Sequence, residues 1–131
     1  MSNAISPQLR DFGNFLSRLT PKRVTNMAKV LGSYYYSRIT RKPVQKGLPI
    51  SISVEPTTSC NLRCPECPSG LRSFSRPTGM LEMDMFQRIV DELYKQTFYL
   101  TLYFQGEPYL NKSFFDFVEY AESNGIYTAT S

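Results

Sequence analysis

The sequence predicts an α/β fold in which a β-α-β-α-β unit follows two amphipathic helices. After residue 49, short β-branched runs alternate with segments of helical periodicity. Strands and helices that alternate in this way build a parallel sheet through right-handed crossover connections. With 131 residues, 41% of them hydrophobic, the chain has enough apolar material for one such domain.

The first 49 residues read as two helices and a linker. Thr20-Pro21 is typical of an N-cap followed by proline in the first helical turn, so one helix precedes it and another follows. Residues 41–49 are rich in breakers, with Pro43, Gly47 and Pro49, and are predicted to be a linker. The first predicted helix, 8–19, has an apolar stripe of Leu9, Phe12, Leu16 and Leu19. The second continues to about Ile39 with Val24, Met27, Ala28, Leu31 and Tyr35.

Residues 50–131 carry the alternating pattern. Strands are predicted at 50–54, 98–104 and 126–131, where β-branched and aromatic residues are frequent. Helices are predicted at 83–95 and from an Asn111 N-cap to a stop at Gly125.

Charge divides the chain at the same place. Residues 1–49 contain nine Lys or Arg against one acid, Asp11, whereas residues 50–131 contain six against ten. We therefore divide the chain into a basic helical extension, 1–49, and a core, 50–131. The extension is interpreted as a solvated helical face, or as one packed on acidic parts of a longer chain; docking of a peptide substrate or, less expected, of a nucleic acid is the alternative. The Tyr34-Tyr35-Tyr36 run is interpreted as core or interface aromatics.

Targeting and export signals are absent from the sequence. No apolar run approaches the roughly 20 residues needed to span a bilayer, so no membrane span is expected. Met1-Ser2-Asn3-Ala4 does not begin a basic and then apolar secretory signal. A cytoplasmic chain with reduced thiols is the expectation, and three cysteines do not make a disulfide framework.

Cys60, Cys64 and Cys67 are the only cysteines, and the chain has no histidine. They follow the first predicted strand in a C-x3-C-x2-C loop. A structural zinc site and an ordinary four-iron cluster each need four ligands, so three thiolates would leave one iron open to a substrate or cofactor. The alternative is a zinc or redox loop that Asp, Glu or a partner chain completes.

A second motif, Gln105-Gly106-Glu107-Pro108, follows the second predicted strand. Alone it is typical of a turn. However, the carboxyl ends of parallel strands lie on one side of a sheet, where βα barrels build their sites. Both motifs are therefore expected to open onto the same mouth.

The cysteine spacing, with Asn61-Leu62-Arg63 and Pro65 around it, resembles the radical S-adenosylmethionine (radical SAM) family, in particular members with a SPASM extension. The resemblance implies an incomplete TIM-like βα barrel. It also implies a 4Fe-4S cluster on Cys60, Cys64 and Cys67, with S-adenosylmethionine on the fourth iron.

Further site residues follow from the same resemblance. Gly106, Glu107 and Pro108 match the motif that holds the SAM amino group, with Gln105 in place of its first glycine. Glu66 stands where the family often has an aromatic or large apolar residue whose backbone contacts adenine. Thr130 and Ser131 either line the pocket or are ordinary strand-end hydroxyls.

The resemblance implies reductive cleavage of SAM to a 5′-deoxyadenosyl radical that abstracts hydrogen from a substrate. Peptide or protein modification is the first expectation; a small-molecule or cofactor-biosynthesis enzyme and a non-catalytic metal-binding module are the alternatives. An electron donor such as flavodoxin or ferredoxin is implied. Because the family uses about six βα units and this chain supplies two and a half, we expect part of a longer enzyme, inactive alone, whose open sheet edge favours self-association.

Overall fold

The computed structural model describes residues 6–130. The expectations for Met1–Ala4 and Ser131 lie outside the described residues. In chain order the elements are α1 Pro7–Ser17, α2 Pro21–Thr40, β1 Ser51–Ser53, α3 Met83–Leu93, β2 Tyr99–Thr101, a short 3-10 helix Pro108–Leu110, α4 Phe114–Ser123 and β3 Tyr127–Ala129. This order confirms the predicted β-α-β-α-β unit after two helices.

The three strands form one parallel sheet in the order β1-β2-β3. Tyr99 pairs with both Ser51 and Tyr127, and the register continues without a bulge. Each strand is shorter than predicted. Beyond the end of β2, the Ser53 hydroxyl donates to the Tyr103 carbonyl at 3.0 Å. A side chain there replaces the backbone donor of the neighbouring strand.

The core lies between the sheet and the helices α3 and α4. Leu100 of the middle strand and Leu102, just after that strand, are fully buried beneath these helices. The rings of Phe86 and Phe117 pack with centroids 4.6 Å apart. The remaining core members are Val90, Phe114, Ala121 and Ile126. Burial of these apolar side chains is the main force that holds the unit together.

Helix α1 covers the other face of the sheet near the amino ends of β2 and β3. Phe15 makes edge contacts with Phe98 at 5.3 Å and with Tyr127 at 5.7 Å between ring centroids. The Tyr127 hydroxyl donates to the Asp11 carboxylate at 2.6 Å, and this hydrogen bond raises the pKa of Tyr127. The apolar stripe that predicted the helix is not the packed face, because Leu9 and Phe12 are more than half exposed.

Helix α2 likewise turns a polar face inward. Its buried residues are Arg23, Asn26 and Ser33. The Asn26 side chain accepts from the Leu48 amide and donates to the Leu48 carbonyl, both at 2.9 Å. The Ser33 hydroxyl accepts from the Lys46 amide at 3.1 Å. The predicted linker is therefore a strap bonded along α2.

The Tyr34-Tyr35-Tyr36 run lies on the outside of α2. All three rings are more than half exposed, so they are not core residues. Tyr34 and Tyr35 contact each other edge to face at 5.3 Å.

Arg23 joins the extension to the core. Its guanidinium, 3% exposed, donates to four backbone carbonyls: Tyr94, Asn124, Gly125 and Arg18. Tyr94 and Asn124 are the C-caps of α3 and α4. A cation at two helix C-termini satisfies orphan carbonyls and complements both helix dipoles.

The predicted start of α4 was wrong. The helix begins at Phe114, and Asn111 instead ends the 3-10 turn. The buried Asn111 amide donates to the carbonyls of Pro56 at 2.7 Å and Leu81 at 3.0 Å, and the Pro56 carbonyl also accepts from the Leu81 amide at 2.9 Å. The predicted stop at Gly125 is confirmed, since its φ of +71° suits glycine at a helix end.

Among residues 6–130, no helix is both long and apolar enough to cross a bilayer.

We predict that Arg23→Met lowers the free energy of unfolding by about 3 kcal/mol, because it leaves buried carbonyls without donors. Arg23→Lys keeps the charge but not the planar set of donors, so its free energy of unfolding should lie between those of the wild type and Arg23→Met. Denaturant unfolding measures both. Lys22→Met, at the exposed neighbouring position, is the control and should stay within about 0.5 kcal/mol of the wild type. Equal losses at the two positions would contradict the role of Arg23.

Candidate functional site

The cysteine loop is closed at its base by backbone pairing. It leaves the carboxyl end of β1, and Thr57 forms an antiparallel bridge with Met80. The Thr58 amide donates to the Gly79 carbonyl at 3.1 Å, and the Thr57 hydroxyl donates to the same carbonyl at 2.9 Å. Thr57 is 2% exposed. The loop therefore begins and ends at one fixed point above the sheet.

Inside the loop, backbone turns set the cysteine positions. The Cys67 amide donates to the Cys64 carbonyl at 3.2 Å, and the Leu71 amide donates to the Cys67 carbonyl at 2.9 Å. A Cβ built on Gly70 would overlap the backbone of Cys64. Only glycine permits this close approach. Cys64 is exposed, whereas Cys60 and Cys67 are half-buried.

The Cys67 thiol lies beside the backbone of Ser69 and Gly70. Hydrogen bonds from the backbone of Gly70 and then Ser69 lower its pKa, with a smaller contribution from the Ser69 side chain. Donors of this kind favour the thiolate, which is the form that binds metals.

The three cysteines fit an iron–sulfur cluster by their donor chemistry. Among residues 6–130, no three Cys, Asp or Glu side chains lie close enough together to hold a metal ion as they stand. The loop nevertheless offers three reduced thiols on one short segment, none of them buried, and the chain has no histidine to compete. Soft thiolates without imidazole suit iron–sulfur clusters. Ligation requires the side chains to turn toward a common centre.

The second motif lies against the cysteine loop. A Cβ built on Gly106 would overlap the Thr57 carbonyl oxygen, so this position needs glycine. The Glu107 amide donates to the Ser59 carbonyl at 2.8 Å. The buried Ser69 hydroxyl donates to the Gln105 carbonyl at 2.7 Å. The structure thus brings the two predicted motifs to one mouth.

The remaining predicted site residues differ in exposure. The Glu107 carboxylate is half-buried and accepts from the Tyr109 amide at 3.3 Å, which begins the 3-10 turn. Pro108 is buried and shapes this turn. Glu66 is exposed at the tip of the loop. Thr130 donates to the Leu102 carbonyl at 3.3 Å.

Sequence reasoning missed the polar residues that brace the mouth. A cavity of about 320 Å³ beside Cys60 is also lined by Thr58, Ser59, Ser69, Arg72, Phe74, Arg76 and Thr78. Arg76 forms a bidentate pair with Glu55, with both N–O distances 2.8 Å, and its guanidinium lies over Phe74. The positive φ of Arg72, +53°, bends the loop around this cavity. The sequence signal that could have indicated this cavity is the pair of basic residues after the third cysteine, Arg72 and Arg76.

A larger cleft of about 590 Å³ lies at the opposite end of the sheet, between the α1–α2 turn and the ends of α3 and α4. Its Arg23 is already fully hydrogen-bonded to carbonyls. The chemistry-bearing side chains are at the smaller cavity, so we place the functional site there.

Comparison with known proteins supports a family assignment, although no family model matches the chain. The PqqA peptide cyclase of Rhodopseudomonas palustris is 30% identical over 82 residues, which cover 63% of this chain and 22% of the relative. The mycofactocin maturase MftC of Mycobacterium ulcerans is 37% identical over 79 residues, 60% of this chain and 21% of the relative. The chain therefore spans about a fifth of the length of these curated relatives.

A structural comparison agrees at the level of the fold. A crystal structure of BtrN in complex with AdoMet and 2-DOIA matches with a TM-score of 0.53 and 24% identity. The match covers 66% of this chain and 36% of BtrN. The three-stranded parallel sheet is thus compatible with part of a radical SAM barrel. Both sequence relatives are radical SAM enzymes, which use a 4Fe-4S cluster and S-adenosylmethionine, and this chain is similar to that superfamily over about 80 residues.

Proposed function

We propose that the chain forms the cluster- and SAM-binding part of a radical SAM enzyme. The observation that carries the proposal is the direct bonding of two strand-end loops, from Glu107 to Ser59 and from Ser69 to Gln105. These bonds hold the cysteine loop beside the Gly106-Glu107-Pro108 motif at the carboxyl edge of the sheet. Residues 50–131 would form this core and residues 1–49 the extension.

Cys60, Cys64 and Cys67 would hold the cluster. When bound, a 4Fe-4S cluster supplies the electron that cleaves SAM to methionine and a 5′-deoxyadenosyl radical, which takes hydrogen from the substrate. The chain's own part is to present thiolates. The backbone donors of Gly70 and Ser69 at Cys67 favour that form, and hydrogen bonds to the sulfur tune the potential of a bound cluster.

Glu107, with the backbone of Gly106, would hold the SAM amino group. A half-buried carboxylate makes a charge-assisted hydrogen bond to an ammonium-type donor. Pro108 positions Glu107 from its buried site. At Glu66 the exposed side chain leaves the backbone as the part suited to contact adenine.

The substrate class proposed is a peptide. The two sequence relatives support it, since one is a PqqA peptide cyclase and the other a mycofactocin maturase. A SPASM extension and an electron donor of the flavodoxin or ferredoxin type belong to the same proposal. So does a reducing, cytoplasmic compartment, because thiolate ligands must stay reduced.

The sheet edges support association with further strands. Within residues 6–130, β1 and β3 each pair on one side only. An open parallel edge favours pairing with another strand, from the same protein or from a second copy.

We predict that anaerobic reconstitution loads about one 4Fe-4S cluster per chain and that Cys64→Ala abolishes stable loading. Iron and sulfide analysis with visible absorption measures this. Cys→Ala at Cys60 or Cys67 should act alike, because three thiolates are the minimum set. Stoichiometric zinc without labile sulfide would instead support a non-catalytic metal-binding module.

We predict that Glu107→Gln weakens SAM binding by about tenfold or more, the loss expected for one charge-assisted hydrogen bond. Glutamine can still accept from the Tyr109 amide, so the turn should persist. Calorimetric titration of the cluster-loaded protein with SAM measures the change. Glu66→Gln is the control and should leave affinity unchanged. Unaltered SAM affinity in Glu107→Gln with an intact cluster would sink the assignment.

We predict that Gly106→Ala destabilises the chain by about 2 kcal/mol and lowers cluster loading, because the added methyl meets the Thr57 carbonyl. Gly79→Ala is the matched control in the same region. A Cβ there meets nothing within 4 Å, so stability and loading should be retained. Denaturant unfolding and iron analysis of both variants decide the question.

A further inference from the structure

Helix α2 carries its apolar side on the outside. The residues Val24, Leu31, Tyr35 and Ile39, here called the α2 stripe, recur at helical spacing and are 45%, 48%, 57% and 82% exposed. The face turned inward is polar and is bonded to the strap and to the helix ends of the core. Rotation of α2 to bury the stripe would break those bonds, so the orientation is fixed.

A helix that exposes one continuous apolar face marks an interaction surface. From Val24 to Ile39 the stripe runs for about 22 Å at 1.5 Å per residue. Helix α1 repeats the arrangement, with Leu9, Phe12 and Leu16 exposed. The aromatic rings of Tyr34 and Tyr36 stand beside the stripe and are also exposed.

The charges around the stripe restrict what can cover it. No acidic residue occurs between Asp11 and Glu55. Lys29 and Arg38 lie on opposite sides of the stripe by helical phase, and both are exposed. Arg41 and Lys42 follow its end. If a second copy covered the stripe, the cations of the two copies would repel each other, so the surface is electrostatically unsuited to self-association.

We propose that α2 binds the surface of an anionic lipid bilayer through this stripe. The helix is amphipathic, with tyrosines at the margin of the stripe and cations on both sides. These features match a helix that lies in the membrane interface, with its apolar side at the acyl boundary and its Lys and Arg side chains at the headgroups. The proposal is independent of the proposed function, because no cysteine-loop residue takes part.

Vesicle sedimentation tests it with the 131-residue chain. The chain should bind phosphatidylglycerol–phosphatidylcholine vesicles at least about tenfold more tightly than vesicles of phosphatidylcholine alone, and added salt should weaken that binding. Leu31→Ser with Ile39→Ser should reduce it about tenfold or more. Met85→Ser with Phe115→Ser removes two residues on α3 and α4 that are 50% and 68% exposed, and should not change it.

Fluorescence gives a second measurement that does not depend on the double variants. The chain has no tryptophan, so Tyr35→Trp introduces a single reporter on the stripe. Its emission should shift to shorter wavelength when anionic vesicles are added, whereas the emission of Phe115→Trp should not. Three results would overturn the proposal: no vesicle binding by the wild type, equal losses in both double variants, or tight binding of polyglutamate without vesicle binding, which would assign the face to an acidic protein.

Discussion

The contact between Gly106 and the Thr57 carbonyl is the constraint on which the candidate site depends. Thr57 lies between β1 and the cysteine loop, and Gly106 lies in the second motif. Because no side chain separates them, the two backbones touch, and the bonds from Glu107 to Ser59 and from Ser69 to Gln105 can form on either side. A larger residue would separate the two loops that form the candidate site.

Hydrogen bonds to backbone carbonyls also fix the opposite end of the molecule. Arg23 collects the final carbonyls of α3 and α4, where each helix leaves acceptors without internal partners. The extension is thereby bonded to the elements that cover the sheet, at the edge away from the cysteine loop. The apolar residues of α2 can face outward because its polar side chains hold this helix in place.

The two edges of the sheet carry different kinds of surface. At the carboxyl edge, backbone donors around Cys67 and the paired Glu55–Arg76 brace a small polar cavity suited to charged groups. At the amino edge, a basic helix presents a continuous apolar stripe. The sheet and its buried Leu100, Leu102 and Phe117 lie between them and keep the two surfaces apart.

The order of elements, the cysteine loop and the Gly106-Glu107 motif could be predicted from sequence alone, because periodicity, caps and the spacing of reactive residues are local properties. The sequence also indicated the radical SAM family. Only the tertiary structure decided which faces of α1 and α2 pack, since Arg23, Asn26 and Phe15 find partners more than twenty residues away. It likewise assigned Asn111 to two distant carbonyls instead of a helix cap. A buried polar side chain needs hydrogen-bond partners, and the backbone acceptors that serve it come together only once the chain has folded.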